Sequence, residues 1–480
     1  MDFLKIISKY QNFIIIGCLL LAVSSFLSQE LAFGLIFIAF LASVSFFFIN
    51  KIKNEKQKKV LGSLFLIVFL LHVLAVFFVY YANFQPFSGG RGDFIYYNLD
   101  AQKISERLHQ GNFSINGLST GHLYPVIVGY LYAAITPKIL IGELLNAWLV
   151  ALIAIFIYLI VREIGRSEKE GFIVGLIVAV YPSLAFYSSL LLKEAITILF
   201  VVIGLLMILK VIKEFSWKNF IILYLATAGV THFRFYIGYA LIFAFIISWF
   251  LLSKFQIKKR IIYGIIMFVL MGFLPQISMA GGWSSGYFGK TNFTSFLNPN
   301  TITYYRETAY APVAPEEEAP QPGPGLAPEE NKISIPVILE NTGNGNGRES
   351  STTIKTGLEN PITFLKNTIL SFVFSLLGPY PWQLKKITHV FLLPEIIPWY
   401  FILFFIIKGI VENIRKEYKV MLPLLFFSIL VIGSLCLFMT NFGITTRIRM
   451  PAVLALLCLL PFGLKLLNNI KIPFLEKYVF

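Results

Sequence analysis

The chain has 480 residues, of which 57% are apolar and 14% charged, with 48 Phe and a mean hydropathy of +0.75. Soluble domains hold roughly 45–50% apolar and about 25% charged residues, so most of this chain needs lipid as its solvent. That excludes a cytosolic enzyme, a secreted disulfide domain and a disordered protein. The net charge of +15 fits nucleic acid or basic cytoplasmic loops, and its distribution along the chain decides for the loops.

A spanning helix needs about 20 mostly apolar residues. In chain order such runs occur at 11–27, 31–49, 60–82, 140–161, 171–187, 194–212, 219–231, 235–253, 261–279, 396–412, 420–440 and 450–467. Two shorter runs, 123–136 and 366–381, are interrupted by proline and either span or lie in the interface. The expectation is an all-α polytopic bundle of about 12–14 spans. Its parts are an N-terminal hairpin with a basic loop (1–59), a core with a first outer loop at 83–122 (60–280), a long external loop (281–365) and C-terminal helices (366–480). The first run lacks a small-residue cleavage site and is followed at once by another span, so it is not read as a cleavable signal peptide. Cys18, Cys436 and Cys458 lie within apolar runs, which argues against a disulfide framework or a zinc site.

The basic connections are 50–59, 162–169, 210–218, 254–260 and 408–419. Placing all of them in the cytoplasm requires an inside N-terminus and non-spanning 123–136 and 366–381. The unusual polar residues then collect on the opposite, extracytoplasmic face. No nucleic-acid partner is expected.

Within 83–122 the spacing predicts an amphipathic helix from Asp93 to His109, with an apolar stripe of Ile95, Leu99, Ile104 and Leu108. Asp93, Tyr97 and Asp100 share another face. Residues 311–350 are Pro-, Glu-, Gly- and Asn-rich and read as a mobile external linker.

Each polar constellation admits a plain explanation beside a chemical one. Asp93, beside Arg91, is a helix N-cap or a base for an incoming hydroxyl or amine. Lys193-Glu194, at the outer edge of a span, is an interfacial ion pair or part of a site. Arg234, in His232-Phe233-Arg234, snorkels to headgroups or binds phosphate through its fork of donors. Arg447 and Arg449 form a second outer basic pair against the positive-inside trend, and a phosphate role is favoured for at least one of them. Phosphate-binding Gly-rich loops, dinucleotide fingerprints and zinc motifs are absent from the sequence. With cytoplasmic loops this short, a sugar donor would arrive on a membrane carrier.

An early loop carboxylate, an amphipathic helix, Gly121-His122-Leu123-Tyr124-Pro125, Leu144-Leu145-Asn146-Ala147, Tyr158 to Gly165, and Tyr181-Pro182-Ser183 leading to Glu194 follow one another. Over roughly residues 80–215 this order resembles the GT-C membrane glycosyltransferases, which include the protein mannosyltransferases and the bacterial aminoarabinose transferases. The resemblance implies a GT-C bundle taking sugar from a polyprenyl-phosphate donor to an extracytoplasmic glycan, lipid-linked or protein acceptor. It puts Asp93 in the role of base, with Glu194 as a second acidic residue. Arg234, Arg447, Arg449 and Lys193 are the expected holders of donor phosphate. Arg91, Tyr97, Asp100, His122, Tyr124 and His232 are the expected substrate contacts. No cofactor is required, and a divalent cation (Mg or Mn) is compatible with the chemistry, without a ligand set. The chain departs from the family in its preceding hairpin, in Phe94 after Asp93, and in lacking a large soluble C-terminal domain. The rival readings are a polymerase or ligase using diphosphate-linked oligosaccharide, and a lipid-linked sugar flippase. The Lys-, Asn-, Ile- and Phe-rich composition points to a bacterial inner membrane.

Overall fold

The computed structural model describes residues 28–85, 92–118, 122–272, 275–277, 283–285, 303, 358, 360–384, 387–438 and 442–464. The expected span 11–27, Arg91 and the linker 311–350 lie outside the described residues. The elements are α1 (Gln29–Ile49), α2 (Glu55–Tyr81), α3 (Asp93–His109), α4 (Leu123–Ala134), α5 (Ile139–Glu163), α6 (Glu168–Ala179), α7 (Pro182–Ser188), α8 (Glu194–Lys213), α9 (Trp217–Phe233), α10 (Phe235–Leu252) and α11 (Ile257–Gly272). Then come β1 (Pro275–Ile277), β2 (Trp283–Ser285), α12 (Pro361–Leu377), α13 (Leu393–Phe438), α14 (Phe442–Leu457) and α15 (Leu460–Gly463). Among the described residues six helices are long and apolar enough to cross a membrane, or seven if the bent pair α6–α7 counts as one span. The all-α polytopic bundle is thus observed.

Two expected boundaries are corrected, while the runs 396–412 and 420–440 are observed as two helical segments, together labelled α13, that meet at a non-helical break at Glu417. The run 261–279 stops as helix at Gly272, and an antiparallel pair of three-residue strands follows. Pro275, which cannot continue a helix, opens the first strand. The run 171–187 is broken at Tyr181-Pro182 into α6 and α7, bent by 59°.

That bend frees backbone groups in a setting where each needs a partner. His72, buried on α2, supplies them: one ring nitrogen lies 2.9 Å from the Ala179 carbonyl and the other 3.2 Å from the Ser188 hydroxyl. The bundle's core runs through α5 and α8, whose faces are almost wholly buried. Its outer surface is apolar too, with Phe40, Phe48, Leu74 and Phe78 exposed, as lipid-facing helices require.

The helix expected at Asp93–His109 is observed, and its expected apolar stripe divides, with Ile95 and Leu99 outward and Ile104 inward. Phe94, Tyr97, Asp100, Ala101 and Ile104 are buried against the protein, whereas Ile95, Tyr96 and Leu99 are exposed. A helix lying in a membrane interface turns apolar side chains outward and keeps its polar residues for the protein, which reconciles the pattern. α3 docks closely on α4 because Gly129 has no side chain. A Cβ there would come within 2.5 Å of Ile104 and 2.9 Å of the Ala101 carbonyl.

The two ends of the bundle differ in charge. At one end lie the ion pairs Lys56–Glu168 (3.1 Å) and Lys213–Glu163 (2.8 Å), with Arg260 closing the α10–α11 turn on the Phe250 carbonyl at 2.8 Å. The other end gathers the N-terminus of α8, the α9–α10 turn, α3 and the start of α14.

Candidate functional site

Four charged side chains from four elements meet at that second end. Asp93 is the first residue of α3, while the capping position is Gly92, which makes no side-chain cap. Its carboxylate is therefore not spent on capping. One oxygen instead accepts from both terminal nitrogens of Arg447, each at 3.0 Å. The Nε of Arg447 donates to Glu194 Oε1, and Arg234 donates to that same oxygen. Glu194 opens α8, Arg234 breaks the chain between α9 and α10, and Arg447 sits in the second turn of α14. Arg234 also donates to the Tyr236 hydroxyl at 2.6 Å.

Glu194 is buried, and its second oxygen, Oε2, has no hydrogen-bond partner among the described residues. The Asp93 side chain, by contrast, is 46% exposed. The cluster thus offers one closed carboxylate that anchors two guanidinium groups and one open carboxylate at the rim.

Lys193, only 7% exposed, stands next to Glu194 with its ammonium 3.1 Å from His122 Nε2. Burial, and then the nearby Arg234, pull its pKa down to about 7, against the opposing pull of Glu194. Burial and the Lys193 charge push His122 down to about 3, so the imidazole is neutral. Tyr97 meets His122 edge-on with ring centres 5.6 Å apart, and burial raises its phenol well above the usual range. Tyr97 also meets Tyr124 at 5.8 Å. With Lys193 protonated, three cations face two carboxylates across Lys193, Arg234, Arg447, Asp93 and Glu194, leaving one net positive charge.

Of the residues expected from sequence, Asp93, Glu194, Arg234, Arg447, Lys193, His122, Tyr97 and Tyr124 come together. Asp100 is buried on the protein side of α3, and His232 is half-buried one residue before the end of α9. Arg449 belongs to a different cluster. It donates to the Gly378 carbonyl and to Glu395 Oε1, the latter at 2.9 Å. Glu395 in turn accepts from Tyr181 at 2.6 Å and from the Ser183 backbone at 2.9 Å and its hydroxyl. This buried network pins the α6–α7 bend to the starts of α13 and α14.

Sequence reasoning missed His72, Glu395 and Glu143, and named Asn146 only within a motif, without a role; the last two lie near the start of α5. Glu143 is buried, and its Oε2 finds no partner among the described residues. Asn146 is wholly buried and fully bonded: its oxygen accepts from Tyr124 at 2.9 Å, and its nitrogen donates to the carbonyls of Leu190 (2.8 Å) and Leu192 (3.0 Å). An ionisable or amide side chain inside an apolar run was the available signal. Both carboxylates of the main cluster are held by arginine, and among the described residues no group of three His, Cys, Asp or Glu gathers to hold a metal ion.

A family model described as dolichyl-phosphate-mannose-protein mannosyltransferase matches residues 133–279. No curated protein and no solved structure matches the chain. The matched segment contains Lys193, Glu194, His232 and Arg234, while Asp93, His122, Tyr124, Arg447 and Arg449 lie outside it. By its apolar helices and this match, the chain is a multi-pass membrane protein similar over residues 133–279 to the dolichyl-phosphate-mannose-protein mannosyltransferases.

Proposed function

We propose that the protein is a GT-C membrane glycosyltransferase that moves a sugar from a polyprenyl-monophosphate donor to an extracytoplasmic acceptor, a glycan or a lipid-linked saccharide. The observation that carries this reading is Arg447, shared between the exposed Asp93 and the buried Glu194, with Arg234 beside it. The acceptor hydroxyl attacks the anomeric carbon, the bond from that carbon to the phosphate oxygen breaks, and the hydroxyl proton passes to Asp93. Arg234 and Arg447 hold the departing polyprenyl phosphate, whose charge grows as the bond breaks. Lys193 adds a cation at its edge, and the closed Glu194 carboxylate keeps both arginines in place.

Without donor, one oxygen of Asp93 is engaged by both terminal nitrogens of Arg447. A donor phosphate competes for the same guanidinium and frees Asp93 only once the donor is bound. The single surplus positive charge suits a phosphodiester, which carries one negative charge, better than a diphosphate. The face is assigned by the positive-inside trend: the ion-paired basic loops lie at the end opposite the site. The membrane is read as a bacterial inner membrane.

The test is mass spectrometry of lipid-linked sugars in cells lacking this protein and supplied with wild type or Asp93→Asn. Polyprenyl-monophosphate sugar should accumulate with the Asn protein, and its identity names the sugar. Accumulation of diphosphate-linked oligosaccharide would favour a polymerase or ligase. An unchanged lipid pool in both strains would refute the reading.

A further inference from the structure

We propose that Asn146 is a positioning residue that sets Lys193, Glu194 and His122 for donor binding and turnover, a role that rests on the reading above. Lys193 and Glu194 follow a short stretch between α7 and α8 that makes no helix of its own. Its backbone needs partners from elsewhere in an apolar setting. Asn146 meets that need with one side chain, its Nδ2 donating to the Leu190 and Leu192 carbonyls at 2.8 and 3.0 Å. Leu192 N adds a local bond to Leu190 O at 2.7 Å.

The carboxamide oxygen accepts from Tyr124 at 2.9 Å. Tyr124 lies two residues after His122, and its ring meets Tyr97, which itself faces His122. One carboxamide therefore ties the segment carrying Lys193-Glu194 to the one carrying His122. Its own mount, α5, is rigid, with Leu144, Ala147 and Val150 fully buried on either side. Lys193 and Glu194 immediately follow the clamped carbonyls, so a slip of the stretch moves the ammonium off His122 and the carboxylate off both arginines. A misplacement of about 1 Å can cost on the order of a hundredfold in rate.

The experiment compares purified wild type, Asn146→Leu and Tyr124→Phe with a polyprenyl-monophosphate sugar as donor. It measures KM and kcat on the monodisperse fraction and amide hydrogen exchange across 189–193. Leucine keeps the branched heavy-atom shape, adds some volume and drops all three bonds. We expect its donor KM to rise and its kcat to fall, each about tenfold, with faster exchange at 189–193 and unchanged protection of α5. Tyr124→Phe removes only the tie to His122's segment and leaves the carbonyl clamp intact, so exchange across 189–193 should match wild type while its kinetic loss stays smaller than that of Asn146→Leu. A role in folding alone would lower yield while KM and exchange in the folded fraction matched wild type, and that result overturns the proposal. Should Asn146→Leu not fold, Asn146→Ala, which removes all three bonds without adding volume, is read in the same way. If wild type transfers no sugar from this donor, the proposed function falls. The exchange data still decide the clamp: faster exchange upholds it, and unchanged exchange overturns it.

Discussion

Arg447 and Arg449 stand two residues apart on α14 yet belong to different kinds of site. Residues two apart on a helix point to different sides, so Arg447 faces α3 and α8 while Arg449 faces α13 and the end of α12. Arg447 bridges two carboxylates, one of them half in the open. Arg449 is 1% exposed, and its partner Glu395 is saturated by Tyr181 and Ser183. Arginine chemistry is common to both. What separates a binding group from a buried staple is whether any partner of the cluster remains accessible to a third molecule.

This contrast can be broken by experiment, beginning with the largest effect. Asp93→Asn should lower kcat by roughly 10²–10⁴, the usual worth of a general base, in a protein that still folds. Steady-state turnover measures it, and retained activity would remove the open carboxylate from the chemistry. Arg449→Leu should instead destabilise the fold by about 3–5 kcal/mol, because it strands a buried carboxylate. The double change Arg449→Met with Glu395→Leu should restore much of that loss in thermal unfolding. A folded Arg449→Leu protein that had lost donor binding would invert the comparison.

Lys193 sharpens the contrast through pH. With its pKa drawn down to about 7, the amine is charged below that value and neutral above it. Donor KM should therefore rise severalfold as pH climbs from about 6 to about 8, and Lys193→Gln should flatten that dependence. Failure of KM to move in wild type would detach Lys193 from donor binding. The smallest effect is expected at the opposite end. Lys213→Ala removes an ion pair whose lysine is 66% exposed, and unfolding should shift by less than about 1 kcal/mol without a change in turnover.

Much of this was legible before the fold. Composition alone requires a lipid-embedded helical chain, since 57% apolar residues cannot be hidden in a soluble core of this size. Spans are local, because each is a run of neighbouring residues, and their order survives folding with shifted ends. The division of the α3 stripe was not legible, because apolar periodicity reports a helix but not which of its apolar residues meets protein and which meets lipid. The partition of the arginines was not legible at all. Arg447 pairs with a carboxylate 354 positions away, and no local pattern separates it from Arg449. His72 was passed over and Asn146 was named without a role, because each is a polar residue in an apolar run whose meaning lies in the backbone it finds across the bundle.

The sequence by itself thus determined the solvent and the helical class, because hydropathy acts residue by residue. The tertiary structure decided which carboxylate meets which arginine, which of them stays open, and which amide holds the stretch before α8. Those are matters of distance between segments far apart in the chain, and only packing brings them within a hydrogen bond of one another.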